Sequence, residues 1–141
     1  MSEANAGALV RGVGRLLRDM GFAWLAEFRL SSGRRADVCG IDRKGTILIV
    51  EIKSSIAEFR ADLKWPEYRD HSDYLYFAVS ASFPSDILPT DTGLIIADGY
   101  GGVIARAAPE HRVAAAIRRR ETLRFARHAA KRLSRLLDPP P

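Results

Sequence analysis

The 141-residue chain is 47% hydrophobic and 28% charged, which is typical of one globular domain with one core. It contains no apolar run near the roughly 18 residues of a membrane span, no secretory-signal order at its N-terminus, and one cysteine, so the composition favours a reducing, cytoplasmic setting. The net charge of +5 is uneven: residues 1–108 sum to −1 (13 Lys/Arg, 14 Asp/Glu) and residues 109–141 to +6 (9 and 3), which indicates a polyanionic partner unless the C-terminal face is merely solvated.

The first half of the chain predicts a helix and three strands. Apolar residues at spacings of three and four predict an amphipathic helix over residues 4–20. Glycine-ended breaks then separate strand-like segments at 22–30, 34–41 and 46–53. The third segment, TILIVEIK, shows no polar alternation before Glu51, so we expect it to be central and covered on both faces.

The second half predicts a crossover helix, two or three strands and a long helix. Pro66 should kink or divide the helix IAEFRADLKWPEYRDHS near Trp65. Strands are expected at 74–80, 92–98 and 103–107, and one long helix or two abutting helices from Pro109 to Leu137. The crossover can place the third and fourth strands parallel, which implies an α/β fold with a mixed sheet flanked by helices.

Both hairpin loops are predicted to contain three residues and to end in a left-handed glycine, Gly33 and Gly45. This length fixes the register, so that Glu27 faces Asp37 and Asp37 faces Glu51 across neighbouring strands. A two-residue loop in either hairpin would instead move one carboxylate to the opposite face.

Three close carboxylates repel one another unless a cation lies among them. One or two Mg²⁺ or Mn²⁺ ions would satisfy such oxygen ligands, and they would activate water and polarise a phosphodiester. Lys53, two residues after Glu51, projects from the same face and could stabilise developing negative charge. Asp and Lys near strand ends are also common without any metal, so this spacing alone leaves an ordinary polar strand end open.

Asp37, followed after thirteen residues by Glu51-Ile52-Lys53, resembles the D-x(n)-(D/E)-x-K signature of the PD-(D/E)xK nuclease superfamily. The order helix, three strands, helix, strand is similar to the restriction-endonuclease-like core of that superfamily, although Ala36 replaces its usual proline. The blocks GRRADV, VEIKSS, FRADLKWPEYRD, YLYFAV, GLIIAD and LRFARHAAKRL resemble the MmcB-like DNA-repair family over most of residues 27–133.

The resemblance implies one nuclease-like domain over residues 1–141 that acts on DNA, with Asp37, Glu51 and Lys53 in its site and other repair proteins as further partners. Many superfamily members also supply a glutamate from the first helix. Here that helix offers only Glu3 and Asp19, so facing-pair geometry makes Glu27 the expected third acid, unless it pairs with an arginine of its own hairpin.

The helix after Lys53 usually borders the active site in the superfamily. Lys64 and Tyr68, one turn apart, are therefore predicted to contact the scissile phosphate. Trp65 is expected to pack in the core, and Cys39 to act as a small apolar filler.

The basic segment 109–138 contains two stripes at helical spacing. The basic stripe is predicted to contact DNA phosphates and consists of Arg120, Arg124, Arg127, Lys131 and Arg135. The apolar stripe is predicted to dock the helix on the domain and consists of Leu123, Ala126, Ala130, Leu133 and Leu137.

Three functions fit these patterns: a metal-dependent DNA nuclease, a non-catalytic DNA-binding repair factor, and an adaptor that binds a partner protein around Trp65. Divalent-metal binding separates the first from the others, and salt-dependent DNA binding separates the second from the third. The sequence leaves the oligomeric state open.

Overall fold

The structure, a computed structural model, describes residues 5–141 and contains one six-stranded mixed sheet with helices on both faces. The elements are α1 (Ala6–Asp19), β1 (Ala23–Arg29), β2 (Arg35–Ile41), β3 (Ile47–Ile52), α2 (Ile56–Ala61), a 3₁₀ helix (Trp65–His71), β4 (Tyr74–Val79), a short 3₁₀ turn (Ser85–Ile87), β5 (Gly93–Ala97), β6 (Gly102–Arg106) and α3 (Ala115–Leu137). The predicted fold class is confirmed. The predicted start of the first helix, at residue 4, lies outside the described residues.

The strands follow chain order across the sheet, from β1 at one edge to β6 at the other. β1, β2 and β3 pair antiparallel, β3, β4 and β5 pair parallel, and β6 returns antiparallel to β5. All six residues of β3 are buried, as its uninterrupted apolar run predicts. The segment after β3 is the crossover that makes β4 parallel to it.

The two hairpin turns adopt the predicted geometry. Gly33 and Gly45 have φ values of 90° and 86°, which glycine tolerates because it has no Cβ. The pairs Phe28↔Ala36 and Val38↔Val50 follow the predicted registers. The observed pairs of both hairpins therefore keep the register that the loop lengths predict, and Glu27 is the one residue of β1 without its expected pair.

Helix α1 covers one face of the sheet. Its buried residues Leu9, Val13 and Leu17 pack against the side chains that point to this face from the central strands. Gly12 lets the helix approach the turn between β5 and β6, because a Cβ there would overlap the carbonyl oxygens of Asp98 and Gly101.

The opposite face is covered by α2, the 3₁₀ helix and α3. Trp65 packs edge-on to Phe77 with ring centroids 5.2 Å apart, and Cys39 is buried, so both predictions of core packing are confirmed. The predicted crossover helix is divided as expected, because Pro66 starts a separate 3₁₀ helix. Ser55 Oγ accepts the Glu58 N–H and so caps the first turn of α2.

Helix α3 is a single helix that begins at Ala115, so the predicted start at Pro109 was wrong. Asp73 fixes the segment before it, because its carboxylate accepts the Val113 N–H and forms a two-pronged ion pair with Arg118. Burial by itself raises the pKa of Asp73, but the hydrogen bonds from Arg118, Ile47 and Val113 outweigh it and lower the pKa.

The face by which α3 docks also differs from the prediction. The docked side contains Glu121, which is buried and accepts the Ser31 N–H, and Phe125, which packs edge-on to Phe28 at 5.6 Å. The predicted docking stripe points away from the domain: every member, from Leu123 to Leu137, is exposed. The helix is held largely by polar contacts, which apolar periodicity does not reveal.

Within residues 5–141 there is no helix that is both long and apolar enough to cross a membrane.

Candidate active site

Asp37 and Glu51 lie side by side where the pairing of β2 and β3 ends. The last paired residues are Val38 and Val50. Beyond them, the Asp37 N–H donates to Glu51 Oε2 at 2.9 Å and the Ile52 N–H donates to Asp37 Oδ2 at 2.8 Å. Each carboxylate thus replaces a backbone acceptor between the separating strands, and the structure brings the two predicted acids together.

Burial shapes the chemistry of this pair. Glu51 is only 4% exposed. Burial, with the neighbouring charge of Asp37, raises the pKa of Glu51 to about 8. Burial also raises the pKa of Asp37, against the hydrogen bond from Ile52 and the charge of Lys53. Both groups therefore hold a proton more tightly than exposed carboxyls do, because burial penalises the charged form.

Lys53 projects toward the same carboxylates, but its ammonium is paired elsewhere. Its Nζ donates to Asp62 Oδ2 at 2.7 Å, and the side chain is almost fully buried. Arg34 also approaches Asp62, at 3.9 Å. Asp62, which the sequence analysis missed, holds the lysine in place. The available signal was the position of Asp62 directly after α2. The chain leaves β3 at Lys53, forms this short helix and turns back, so the residue after the helix comes close to the end of β3.

Glu27 does not join the pair. The residue has a φ of 52°, is exposed and is absent from the pairing between β1 and β2, although its neighbours keep the predicted register. The charges that act on the pKa of Asp37 come from Lys53, Glu58 and Asp62. Strand β1 runs through Glu27, but the left-handed backbone there removes the predicted Glu27↔Asp37 pair from the ladder. The role of Glu27 as a metal ligand stays a prediction.

A cleft of about 350 Å³ opens beside Asp37, between the N-terminal end of α1 and α2. Glu27 and Glu58 line it together with Asp37 and Ile52. Glu58 Oε2 accepts hydrogen bonds from the backbone and the hydroxyl of Ser54. Glu58, which the sequence did not single out for the site, therefore adds a third carboxylate to this cleft.

The other acids considered for the site do not reach it. Asp19 lies at the opposite end of α1 from the cleft, roughly 20 Å away for a helix of 14 residues. Glu3 lies outside the described residues. Within residues 5–141 there is no group of three or more His, Cys, Asp or Glu side chains arranged to hold a metal ion.

A two-carboxylate site remains compatible with a hard cation. Mg²⁺ commonly binds through one or two protein carboxylates and keeps several waters. Asp37 Oδ1 and Glu51 Oε1 accept no hydrogen bond from residues 5–141, while the second oxygen of each carboxylate is fixed by a backbone N–H. The donor set therefore fits one such ion.

Lys64 and Tyr68 do not face the same way. Lys64 is exposed, whereas Tyr68 is buried and donates its hydroxyl to the Arg35 carbonyl at 2.8 Å. They occupy the start of a 3₁₀ helix, in which residues four apart do not align. Tyr68 therefore supports β2 through its hydroxyl, and its contact with a phosphate stays a prediction. The contact by Lys64 stays a prediction.

Four of the five cations in the basic stripe are exposed: Arg120, Arg127, Lys131 and Arg135. Arg124 instead donates from Nε and a terminal nitrogen to the Arg29 carbonyl at the end of β1. Arg132, outside the stripe, caps the carbonyls of Ala26 and Glu27 in the same way. These two arginines occupy the free edge of β1, which an amphipathic pattern could not predict.

Comparison with known proteins gives one family and one close structure. A family model described as "DNA repair protein MmcB-like" matches residues 1–140. A solved structure described as the "SPO1766 protein of unknown function from Silicibacter pomeroyi" is 44% identical, with a TM-score of 0.92 over 99% of this chain and 94% of that chain. No curated protein sequence matches this chain.

Proposed function

Since the chain belongs to the MmcB-like family of DNA-repair proteins, we propose that it is a metal-dependent nuclease that hydrolyses DNA phosphodiesters beside Asp37, Glu51 and Lys53. The observation that carries this proposal is the buried pair of carboxylates with raised pKa values, each fixed by one backbone N–H and each with a second oxygen available. A carboxylate with only a structural role at a strand end would gain no stability from a second buried carboxylate beside it.

The site residues have separate roles in this proposal. Asp37 and Glu51 would hold one Mg²⁺ or Mn²⁺ ion, and a bound ion of this kind supplies Lewis acidity and a more acidic water. Lys53 would place its positive charge where the phosphate becomes more negative in the transition state. Asp62 is a positioning residue, because its ion pair fixes the lysine at the end of β3.

The test is cleavage of single-stranded, duplex and branched DNA by the wild type with Mg²⁺ or Mn²⁺. We expect Glu51→Gln to abolish cleavage and to weaken metal binding in calorimetry. Lys53→Met should keep metal binding and lose rate, since the lysine acts on the phosphate. The exposed carboxylate Glu110 offers a matched control, Glu110→Gln, which should leave both measurements unchanged. If the wild type binds no divalent metal and cuts none of these substrates, the nuclease proposal is wrong.

The second candidate is a DNA-binding repair factor that does not cleave. Two observations favour it: the missing third metal ligand among residues 5–141 and the four exposed cations along α3. Phosphate contacts by these cations would bind DNA without sequence preference and would weaken steeply with salt.

A triple variant of the exposed cations tests this surface. We expect Arg120→Gln/Arg127→Gln/Lys131→Gln to bind every duplex more weakly. The slope of log affinity against log salt should become shallower by about 0.9 for each phosphate that the variant no longer neutralises. Arg124→Gln is a poor choice for this purpose, since its guanidinium holds α3 to β1. An unchanged slope would mean that the stripe is only solvated.

A further inference from the structure

The outward face of α3 has the spacing of a helix-pairing surface. Its apolar members Leu123, Ala126, Ala130, Leu133 and Leu137 are separated by three, four, three and four residues. A repeat of 3.5 residues is the pattern by which one helix packs along another. The docked side of α3, with Glu121 and Phe125, lies on the opposite side of the helix. The apolar repeat therefore stays exposed although the helix is packed on its own domain.

The C-terminal end of α3 has no packing within the chain. Arg132 is the last residue that contacts the sheet, through Ala26 and Glu27, and every residue after it is exposed. This end contains three leucines, Leu133, Leu136 and Leu137, which are 60%, 80% and 80% exposed. Helices depend on the packing of an apolar face for most of their stability, and exposed apolar clusters mark interaction sites.

The other end of the same face is concave. A hollow of about 650 Å³ lies beside the first half of α3, and its apolar lining comes from Val113, Ala115, Leu123 and Ala126. One face of one helix thus carries projecting leucines near its C-terminal end and, near its start, a hollow with apolar lining that Arg112, Arg118 and Arg119 also border. A surface that carries both a projection and a hollow is suited to a second copy related by a two-fold axis, because each copy offers its projection to the other.

We propose that this face of α3 is the interface of a symmetric dimer, in which the outer faces of two α3 helices pack antiparallel. With the two-fold axis between Lys131 and Arg132, Ala126 faces Leu137 of the second copy and Ala130 faces Leu133 of the second copy. Symmetry repeats both layers, so four successive layers each pair one alanine with one leucine. Core layers that alternate large and small residues in this way fill space evenly.

Charge and volume both favour this register. Arg127 flanks the apolar repeat and falls beside Ser134 of the second copy, so that no two arginines face each other. A parallel pair would instead stack Leu123 on Leu123 and Ala126 on Ala126. Its leucine layers would hold the helices apart, and its alanine layers would leave voids, which cost stability.

The oligomeric state tests the proposal directly. We expect sedimentation velocity and light scattering to give twice the mass of one chain at micromolar concentrations. Leu133→Glu should be monomeric, because it places a carboxylate in an alanine–leucine layer. Leu63→Glu is the matched control: Leu63 is 83% exposed and lies outside α3, so this variant should stay dimeric. A monomeric wild type, or a dimer that survives Leu133→Glu, would overturn the proposal.

Cysteine cross-linking tests the antiparallel arrangement. The native Cys39 is buried and does not interfere. Oxidation should join two chains of the double variant Ala126→Cys/Leu137→Cys, and neither single variant alone. Leu123→Cys should stay uncross-linked, since antiparallel helices place its two copies far apart. Efficient cross-linking of Leu123→Cys, with none in the double variant, would refute the arrangement.

Discussion

Replacing Glu51 by glutamine removes the charge from the most strongly perturbed carboxyl of the site and keeps its shape. Glutamine can still accept the Asp37 N–H through its side-chain oxygen. The change should therefore stabilise the fold in the absence of metal, while it abolishes the proposed activity. Opposite effects on stability and function are expected where a site holds like charges together for a ligand.

The size and the pH dependence of the effect follow from the pKa of Glu51. A rise from 4.5 to about 8 corresponds to roughly 5 kcal/mol against the charged form above pH 8, and to about 3 kcal/mol at pH 7. Because the folded-state pKa is raised, the contribution of Glu51 to stability is complete below pH 4.5 and is lost as the pH rises to about 8. Part of the cost persists in the variant, since the glutamine amide needs partners of its own. We expect a net gain of about 2 kcal/mol at pH 8, or ~8 °C in Tm.

The assay is thermal and urea unfolding of both proteins at several pH values between 4.5 and 9, with a chelator present. The difference between wild type and Glu51→Gln should grow with pH up to about 8 and then level off. Comparing the two proteins cancels the pH dependence that they share. Glu110→Gln, at an exposed position, should show no such difference. If the curves of wild type and Glu51→Gln stay parallel, or if the variant is less stable at pH 8, Glu51 does not carry the burial penalty argued above.

Four further changes test contacts of the fold away from the site. Arg118→Ala should lower the free energy of unfolding by about 2–3 kcal/mol in urea, because it leaves the buried carboxylate of Asp73 without its ion pair. In the wild type, the stabilisation by Asp73 is complete above pH 3.8 and disappears as the pH falls through its lower folded-state pKa. Asp73→Asn should remove this loss of stability at acid pH. Gly12→Ala should cost more than about 1 kcal/mol through overlap with the backbone at Asp98, whereas Gly7→Ala, with an ordinary contact at 3.5 Å, should be neutral or stabilising.

The sheet was predictable because its determinants are local. Glycines at the loop ends required left-handed backbone, and the loop length then fixed which residues of β1, β2 and β3 face each other. The apolar run of β3 indicated a strand covered on both faces, and the segment between β3 and β4 indicated a parallel crossover. These rules placed Asp37 beside Glu51 with no knowledge of long-range contacts.

The misses have two causes: a local backbone conformation at Glu27 and polar contacts between distant parts of the chain. Glu27 takes up left-handed backbone, and nothing in the sequence AEFR announces it. Helix α3 docks through buried Glu121 and through Arg124, whose guanidinium caps a carbonyl of β1. Amphipathic analysis assigns the apolar side of a helix to the core, so it fails where charged groups make the intramolecular contacts. The apolar side is then left for another molecule.

The Lys53–Asp62 ion pair and the nearby carboxylates determine the order in which metal and DNA would bind at the proposed nuclease site. An ammonium that is buried and held at 2.7 Å from a carboxylate is positioned, but much of its charge is offset until a phosphate competes for it. The carboxylates Glu58 and Asp62 also add negative charge near Asp37, which raises its pKa and would repel DNA phosphates unless a cation offsets it. A divalent cation would relieve both effects at once. Metal should therefore bind before DNA at this site, whereas the cations of α3 need no metal to contact the phosphate backbone.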